Sequence, residues 1–245
     1  MKNQDNWRPT KYVTTRRGLR ASADPREVSA GSRLTADLQA QAYEKALKTH
    51  CRGAVLDLGC GKAPLYSVYK PLASSICCVD WEESCHDISH ADVRCDIGAG
   101  LPLASEQFHT VVLTDVLEHV AHPAPLWSEI YRVLQPAGKV ILGVPFLYWV
   151  HEEPHDYHRY TRYKLAGFCE NVGLEVVLLE PYGGALEVVL DIVAKHLSAW
   201  TVSGRAWYRF SRLVVGLRPW RSLSRRTMEK FPLGYLLVAV KPGAS

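Results

Sequence analysis

The sequence predicts an α/β protein built on a mostly parallel β-sheet with helices on both faces. Seven short apolar segments alternate with segments of helical spacing, and a turn with two glycines follows the first apolar segment. Such alternation is typical of parallel strands joined by crossover helices, which bury both faces of the sheet. The chain has 245 residues, of which 47% are hydrophobic, so it is long enough for one large domain.

Charge and cysteine content narrow the class of protein. The formal net charge of +4 is only mildly basic and no RNA-binding module is recognisable, so no nucleic-acid partner is expected. The seven cysteines are odd in number and lack the paired spacing of a zinc ribbon. Residues 1–18 contain no apolar stretch that could serve as a signal peptide. Reduced thiols and a cytoplasmic location are therefore predicted.

Residues 1–50 are predicted to form an arm and a helix ahead of the main domain. Residues 1–32 are polar, rich in arginine and aperiodic, which is typical of an arm. From Ser32 onward, apolar residues recur at helical spacing until the helix ends near Thr49. Residues 51–245 are predicted to form the main domain.

Seven strands are predicted in the main domain, and two of the intervening helices have recognisable ends. Pro123 suits the first turn of a helix that ends before Pro136. Thr161 is predicted to cap a further helix, for which Gly173 is the C-terminal stop. The predicted strands are residues 54–59, 74–80, 91–97, 109–115, 139–144, 174–180 and 235–241.

Residues 181–233 interrupt the alternation between the sixth and seventh strands and are predicted to form a helical insertion. Residues 184–200 have an amphipathic helical pattern, in which charges recur too often for a membrane span. The polar stripe of this helix consists of Glu187, Asp191, Lys195 and Ser198. Beyond it, seven arginines are mixed with the aromatic residues Trp200, Trp207, Tyr208, Phe210 and Trp220. The insertion is predicted to pack as a lid or against the core, and contact of residues 184–230 with a membrane surface is the alternative.

The turn after the first strand, VLDLGCGKAP, indicates a ligand site. In doubly wound sheets, ligands bind at the carboxyl ends of the strands, where glycines let the backbone approach closely. Gly59 and Gly61 stand in this turn, but Pro64 follows them, so the dinucleotide fingerprint G-x-G-x-x-G fails. Asp57, two places before Gly59, would suit a cationic ligand group and would repel a pyrophosphate.

Acidic residues also end the next two strands. Asp80 can accept both hydroxyls of a ribose, which indicates a nucleoside-containing cofactor. Asp96 adds an acceptor suited to an adenine amino group. Each of these residues alone could be an ordinary strand-end residue, but three in ordered positions favour a common site. An acidic site with a ribose acceptor favours S-adenosylmethionine over a nicotinamide dinucleotide.

Four segments of the chain, in their order, resemble a class I S-adenosylmethionine-dependent methyltransferase: VLDLGCGKAP, CVDWEE, CDIGAGLPLASEQFHTVVLTDVLEHV and EIYRVLQPAGKVILGVP. The resemblance covers roughly residues 51–180 and is to the small-molecule subgroup that includes ubiquinone-biosynthesis enzymes. It implies a Rossmann-like sheet in the order 3-2-1-4-5-7-6, counted over the predicted strands, with the seventh strand antiparallel. Ala63, His109 and the sequence PAG at 136–138 depart from the family pattern, but none of them removes a cofactor contact.

The resemblance also implies that S-adenosylmethionine is the cofactor and that ten residues at the strand ends bind it. Ordered by cofactor part, from methionine through ribose and adenine to the sulfonium, they are Asp57, Gly59, Cys60 and Gly61; Asp80 and Trp81; Asp96 and Ile97; and Thr114 and Asp115.

His119, shortly after the fourth strand, is a candidate general base. Methyl transfer to a hydroxyl or amine requires alignment of the acceptor with the methyl group and removal of a proton. Histidine suits the second task near neutral pH. The alternative is that Glu118 and His119 only begin a helix and that His119 orients a loop.

The sequence HEEPHDYHRYTRY, residues 151–163, directly follows the fifth strand and is therefore expected over the methyl-transfer site. It resembles an HD-Y-RYT stretch of methyltransferases from cell-surface glycan and glycolipid pathways. A metal site of His151, His155 and Asp156 is disfavoured, because Pro154 argues against the helix that would align histidines four apart, so no metal is predicted. A solvated loop is the second interpretation. Acceptor recognition is favoured over both.

Acceptor recognition assigns roles to individual residues of this segment. The candidate catalytic residues are His119, His155, His158 and Asp156. The predicted substrate-binding residues are His151, Tyr157, Arg159 and Tyr160.

The sequence thus predicts a cytoplasmic methyltransferase that methylates an oxygen of a sugar, a glycolipid or another small molecule, as in polysaccharide biosynthesis. The expected partner is a small-molecule or lipid-linked glycan acceptor, with peripheral membrane contact as an option. Methylation of a quinone-like or aromatic molecule is the enzymatic alternative. A non-catalytic scaffold with the cofactor fold is the alternative from another class. The sequence does not indicate the oligomeric state.

Overall fold

A hairpin and a helix precede the main sheet, in a computed structural model that describes residues 1–197 and 201–243. These elements are the antiparallel strands β1 (Tyr12–Thr15) and β2 (Gly18–Ala21) and the helix α1 (Arg33–His50). The Ala21 N–H donates to Asp37 of α1 at 2.9 Å, so the helix stabilises the edge of the hairpin. The prediction of an aperiodic arm is wrong for residues 12–21. Such short strands depend on contacts with a later helix, which local periodicity does not record.

The main sheet has seven strands, of which six run parallel. The strands are β3 (Gly53–Leu58), β4 (Ala73–Asp80), β5 (Val93–Arg94), β6 (Phe108–Thr114), β7 (Leu134–Pro145), β8 (Glu175–Tyr182) and β9 (Gly234–Val240). Their order is β5-β4-β3-β6-β7-β9-β8, with β9 antiparallel to both of its neighbours. In the count of predicted strands this order is 3-2-1-4-5-7-6, so the predicted Rossmann-like topology is confirmed.

Three helices connect the strands of the sheet, and the ends of one were correctly predicted. They are α2 (Tyr66–Tyr69), α3 (Pro123–Val133) and α4 (Arg162–Val172). The Lys164 N–H donates to the Thr161 hydroxyl at 3.3 Å, and Gly173 ends α4 with a φ of +81°. β7 begins directly after α3, five residues before the predicted start at residue 139. Its first residues pair with the beginning of β6 across a register shift, which sequence patterns do not reveal.

Each face of the sheet has its own apolar core. Neighbouring residues of β6 alternate between them: Val111 packs on the side of Trp127 in α3, and Val112 packs on the side of Tyr43 in α1. Gly143 of β7 leaves the space that the Tyr43 ring occupies, because a Cβ at this position would overlap the ring. The Tyr43 hydroxyl thereby reaches the carboxyl end of the sheet.

The insertion between β8 and β9 is helical, as predicted. It consists of α5 (Ala185–Leu197), α6 (Thr201–Gly216) and α7 (Arg218–Thr227); Ser198 and Trp200 lie outside the described residues. Glu187 and Asp191 of the polar stripe are buried. Asp191 accepts a hydrogen bond from Thr35 of α1 at 2.7 Å, and Glu187 accepts one from Ser224 of α7 at 2.8 Å. The apolar residues Val189 and Ile192 are more than half exposed.

The insertion packs against α1 and leaves α7 on the surface. The Tyr208 hydroxyl of α6 donates to Asp37 at 2.7 Å, and the Trp207 indole N–H donates to the carbonyl of Leu190 at 3.0 Å. Helix α7 contains no buried residue. Among the helices of the described residues, none is both long and apolar enough to cross a membrane.

Candidate active site

A cavity of about 780 Å³ opens at the carboxyl ends of the central parallel strands. This is the edge at which doubly wound sheets bind their ligands. All ten residues predicted to bind the cofactor line it: Asp57, Gly59, Cys60, Gly61, Asp80, Trp81, Asp96, Ile97, Thr114 and Asp115. The structure thus brings together residues that lie up to 58 positions apart, from Asp57 to Asp115.

The glycine turn after β3 is tightly held against the neighbouring strand ends. Gly59 and Gly61 have φ angles of +70° and +48°. A Cβ at Gly59 would lie 2.5 Å from a methyl carbon of Val116, so both the conformation and the close approach require glycine. The Gly59 N–H donates to the carbonyl of Val79 at 2.8 Å, which ties the turn to the end of β4.

Asp57 is a buried carboxylate in the floor of the cavity. The Tyr69 hydroxyl donates to its Oδ2 at 2.7 Å. Burial raises the pKa of Asp57 to about 7, and the nearby Asp80 adds to the rise. A cationic ligand group beside Asp57 would favour its ionised form and would be attracted by it.

Asp80 and Asp96 differ in how far their carboxylates are already engaged. Asp80 accepts from the Gly61 N–H at 2.5 Å with one oxygen and from the Trp81 N–H at 2.7 Å with the other. Each carboxylate oxygen has two lone pairs, so both oxygens of Asp80 can still accept a hydroxyl. Asp96 is exposed and accepts only from the Gly98 N–H in this way, at 2.8 Å.

Asp115 is bound by residues from the N-terminal part of the chain, which sequence reasoning missed. Its carboxylate accepts from Lys11 Nζ, Gln39 Nε2 and the Tyr43 hydroxyl, each at 2.8 Å. Lys11 also lines the cavity. The pair Lys11–Asp115 spans 104 positions, so no local sequence pattern could have indicated it.

The segment after β7 reaches the cavity with some of its predicted residues. His151, His155 and Tyr157 line it, together with His119 from the turn after β6. The His155 Nδ1 lies 3.0 Å from the Tyr157 hydroxyl, and its ring packs edge-on against Trp81 with 5.3 Å between the ring centroids. These four residues form a polar part of the cavity lining.

Four other predicted residues of this segment do not line the cavity. Arg159 holds Asp156 through two hydrogen bonds, of 2.5 and 2.7 Å, and Asp156 is almost fully buried. Burial opposes ionisation of Asp156, but the hydrogen bonds from Arg159 and from the His151 N–H outweigh it and lower the pKa of Asp156 to about 2. The pair is therefore an internal brace of the loop.

His158 and Tyr160 point to the opposite side of the loop. His158 Nε2 lies 3.1 Å from the carbonyl of Ala121, and the Tyr160 hydroxyl donates to the carbonyl of Leu117 at 3.2 Å. Both residues line a separate, shallow cavity of about 320 Å³. The structure therefore gives no support to the predicted catalytic roles of Asp156 and His158 or to the predicted binding roles of Arg159 and Tyr160.

Glu118 is a cavity residue that was not predicted as part of the site. Its side chain is fully buried, and burial raises the pKa of its carboxyl well above the usual range, with Asp115 adding to the rise. His151, which lies close by, has its pKa lowered by burial and then by His119. The signal in the sequence was the pair Glu118–His119, in which only the histidine was weighed as a functional group.

The helical insertion lies outside this cavity. Among residues 181–197 and 204–233, none lines it. Lys195 of α5 contacts the outer side of the cavity wall, with its Nζ 3.7 Å from the centroid of the Tyr148 ring. The predicted lid is therefore not found over the cavity in the described residues.

Comparison with known proteins shows what this chain resembles. Residues 56–142 match the family model described as "Methyltransferase domain". The chain is 30% identical over 107 residues to a probable S-adenosylmethionine-dependent methyltransferase of Mycolicibacterium smegmatis, covering 40% of this chain and 41% of that protein. It is 28% identical over 149 residues to a ubiquinone biosynthesis O-methyltransferase of Dinoroseobacter shibae, covering 50% and 60%.

Solved structures show the same fold. Phosphoethanolamine N-methyltransferase 2 of Haemonchus contortus, crystallised with S-adenosylmethionine, superposes with a TM-score of 0.53 at 17% identity, covering 82% of this chain and 52% of that one. The chain spans 40 to 60% of the length of the curated relatives that it matches. Residues 56–142 therefore resemble a methyltransferase domain, and the chain has the fold of the S-adenosylmethionine-dependent methyltransferases with which it superposes.

The raised pKa of Asp57 predicts a pH dependence of stability. The folded protein keeps a proton on Asp57 up to pH 7, whereas the unfolded chain releases it near the ordinary value of 3.8. The free energy of unfolding therefore falls as the pH rises through this window. Asparagine does not ionise, so the free energy of unfolding of Asp57→Asn does not fall in this window. Its free energy of unfolding relative to that of the native protein is therefore expected to rise between pH 4 and pH 7.5, by up to about 4 kcal/mol.

Urea unfolding at several pH values measures this difference. Asp96→Asn is the matched control, because Asp96 is exposed. The raised pKa of Asp57 would be contradicted if the free energies of unfolding of Asp57→Asn and the native protein differed by the same amount at every pH.

Proposed function

We propose that the chain is an S-adenosylmethionine-dependent methyltransferase that methylates an oxygen of a sugar, a glycolipid or a similar small molecule. The observation that carries this proposal is the cavity in which acidic residues from three successive strand ends meet a glycine turn. Fold alone does not assign an activity, so the proposal depends on how these residues suit one ligand.

The cavity residues fit the parts of S-adenosylmethionine. Asp80 has lone pairs for the two ribose hydroxyls. Asp57 offers a buried carboxylate to the amino group of the methionine part, and the glycine turn allows the backbone to approach it closely. Asp96 and Ile97 provide an acceptor for the adenine amino group and an apolar surface for its ring.

Methyl transfer requires the acceptor oxygen to be held in line with the methyl group and to lose its proton. When bound, S-adenosylmethionine would supply an electrophilic methyl group and a thioether leaving group. The Lys11–Asp115 pair and Thr114 form the wall beside this position. We expect His155 to take the acceptor proton on its imidazole, because it lines the cavity and contacts Tyr157 and Trp81.

The polar side of the cavity favours a hydroxyl-rich acceptor. His151, Glu152, His155 and Tyr157 offer donors and acceptors at the same edge, which suits a polyol better than an apolar ring. A quinone-like or aromatic acceptor is the second candidate, and the relative named as a ubiquinone biosynthesis O-methyltransferase favours it. A non-catalytic scaffold is the alternative from another class.

Helices α6 and α7 suit contact with an anionic membrane surface, which would bring the enzyme to a lipid-linked acceptor. Residues 201–227 contain seven arginines and no acidic residue. Exposed apolar side chains lie among them, namely Phe210, Leu213, Leu217, Trp220 and Leu223. Basic helices with exposed aromatic and apolar residues bind the headgroup region of anionic bilayers. The compartment is proposed to be the cytoplasm, because the seven cysteines are all unpaired.

Calorimetry with S-adenosylmethionine tests cofactor binding. The native chain is expected to bind it, and Asp80→Ala is expected to weaken binding about 10- to 100-fold, because two hydrogen bonds to a charged group are lost. Glu175→Ala is the matched control, since Glu175 is an exposed carboxylate on β8. If the folded native chain does not bind S-adenosylmethionine, the methyltransferase proposal is wrong and the scaffold alternative remains.

A screen of lipid-linked sugars, nucleotide sugars and quinone-like molecules with methyl-labelled cofactor identifies the acceptor. On that acceptor, His155→Ala is expected to lower turnover about 100- to 10,000-fold, because a general base is removed. His158→Ala is the matched control, since His158 lies outside the cavity, and it is expected to keep the native rate. Equal rates for the two variants would contradict the role of His155.

Flotation with lipid vesicles tests the membrane surface. The chain is expected to float with vesicles that contain phosphatidylserine, not with purely phosphatidylcholine vesicles, and less at high salt. Replacing Arg218, Arg221 and Arg225 with glutamate is expected to abolish flotation. Replacing the exposed Arg8, Arg16 and Arg17 with glutamate changes the net charge equally and is expected to have little effect. Equal loss in both triple variants would argue against this surface.

A further inference from the structure

Three side chains with lone pairs converge beside the proposed methyl-transfer position. Glu118 is fully buried, and neither of its carboxylate oxygens has a hydrogen-bond partner among the described residues. Its Oε1 lies 3.8 Å from His119 Nε2 and 3.9 Å from His151 Nε2. The three ligand atoms all lie within 4.8 Å of one another. A buried carboxylate without any partner is costly, so the arrangement calls for a compensating group.

The other ring nitrogen of each histidine fixes where its proton lies. His119 Nδ1 is 2.9 Å from the carbonyl oxygen of His155, and a carbonyl can only accept, so Nδ1 carries the proton. His151 Nδ1 is 3.3 Å from the Trp149 carbonyl, which can only accept, so this Nδ1 carries the proton, and Asp156 Oδ2 lies 3.2 Å from the same nitrogen as an ion-pair contact. Neutral imidazoles in these tautomers turn bare Nε2 lone pairs toward the Glu118 carboxylate.

A proton on Glu118 that is shared with one of the histidines would not explain these distances. Separations of 3.8 and 3.9 Å are too long for hydrogen bonds between the carboxyl and either imidazole. They are only slightly longer than the separation of about 3.5 Å between neighbouring ligands of an ion with bonds of about 2.1 Å. A small contraction of the side chains would bring all three atoms onto one cation.

We propose that Glu118, His119 and His151 bind a divalent transition-metal ion. Two imidazoles and one carboxylate are ligands preferred by zinc, iron and related divalent ions over magnesium or calcium. Glu152 is available as a fourth ligand, because its Oε2 lies 3.7 Å from His119 Nε2. The remaining coordination positions face the cavity that holds the proposed acceptor site.

The proposed ion explains the brace formed by Asp156 and Arg159. Histidine ligands of metal ions usually donate their other N–H to a carboxylate or a backbone carbonyl, which fixes the ring and increases its basicity. The Trp149 carbonyl does this for His151, and Asp156 fixes the backbone of His151 by accepting from its N–H at 2.9 Å, while Arg159 holds the carboxylate in place. The carbonyl of His155 does the same for His119. Asp156 and Arg159 are thus positioning residues of the ion site.

The role of the ion rests on the proposed function, although ion binding itself does not. An acceptor hydroxyl bound to a divalent ion has a lowered pKa and a fixed orientation. His155 then takes the proton of a hydroxyl that is already polarised. An acceptor with neighbouring hydroxyl groups would suit an ion that keeps open coordination positions, because two such hydroxyls can chelate it.

Metal titration of the chelator-treated full-length chain tests the site without cofactor or acceptor. Cobalt(II) is expected to bind stoichiometrically and to give visible absorption bands of nitrogen and oxygen ligands, and zinc(II) is expected to displace it. Asp156→Asn is expected to lower metal affinity about 10- to 100-fold as a supporting residue. Glu118→Gln is expected to lower it further, with circular dichroism showing that the fold is kept.

Two control variants separate this site from others. His158→Ala is expected to bind the ion as the native chain does, because His158 lies outside the cavity. Cys85→Ala tests the exposed cluster of Cys85, His86 and Glu152, and it is expected to have no effect. A sulfur-to-cobalt charge-transfer band lost in Cys85→Ala would overturn the assignment, as would a folded native chain without stoichiometric binding. Cofactor binding that persists without any metal would leave the methyltransferase proposal intact.

Discussion

Repulsion between carboxylates at one edge of the sheet is the constraint on which the site depends. The parallel strands bring Asp57, Asp80, Asp115 and Glu118 to a single cavity, where charges interact more strongly than in water. Each is stabilised differently. Asp57 keeps its proton up to about neutral pH beside a tyrosine hydroxyl, Asp80 accepts from two backbone N–H groups, and Asp115 is paired with Lys11. Glu118 has no such partner among the described residues, and this distinguishes it chemically from the other three.

The N-terminal fifty residues belong to the site as much as the strands do. Helix α1 supplies two of the hydrogen bonds to Asp115, while the preceding hairpin supplies Lys11. The same helix holds α5 and α6 through Thr35 and Asp37. The helical insertion is therefore connected to the cavity wall through α1, although it does not line the cavity. Helix α1 thus fixes the orientation of the α6 and α7 surface relative to the cavity.

Much of the fold, and the grouping of the predicted cofactor-binding residues around one cavity, could be predicted from the sequence. Each of the seven strands was located by an apolar run, although β5 has only two residues where 91–97 was predicted and β7 begins five residues early. The acidic residues stand at strand ends, where topology alone brings them together. Thr161 and Gly173 also acted through local chemistry, as a cap and a stop. Apolar runs, helix caps and helix stops depend on residues that are adjacent in the chain, so they can be recognised in the sequence.

The acceptor half was predicted less well, because its residues are arranged by a loop without a period. Composition could not tell which residues of positions 151–163 face the cavity and which brace the loop. Asp156 and Arg159 pair with each other, whereas His151 turns toward Glu118, more than thirty positions earlier. Lys11 and the β1–β2 hairpin were missed for the same physical reason. Their stabilising contacts are long-range, and a short polar segment gives no sign of them.

The packing of Tyr43 against Gly143 has a consequence for where this protein can be cut. Residues 56–142 match the methyltransferase family model, but that segment ends one residue before Gly143 and lacks the helix that carries Tyr43. A fragment with these boundaries would expose the apolar side of β6 and leave Asp115 without Lys11, Gln39 and Tyr43. The segment that matches the family model is therefore shorter than the segment that packs together. A deletion that kept only residues 56–142 would separate the cavity edge from the residues that bind Asp115.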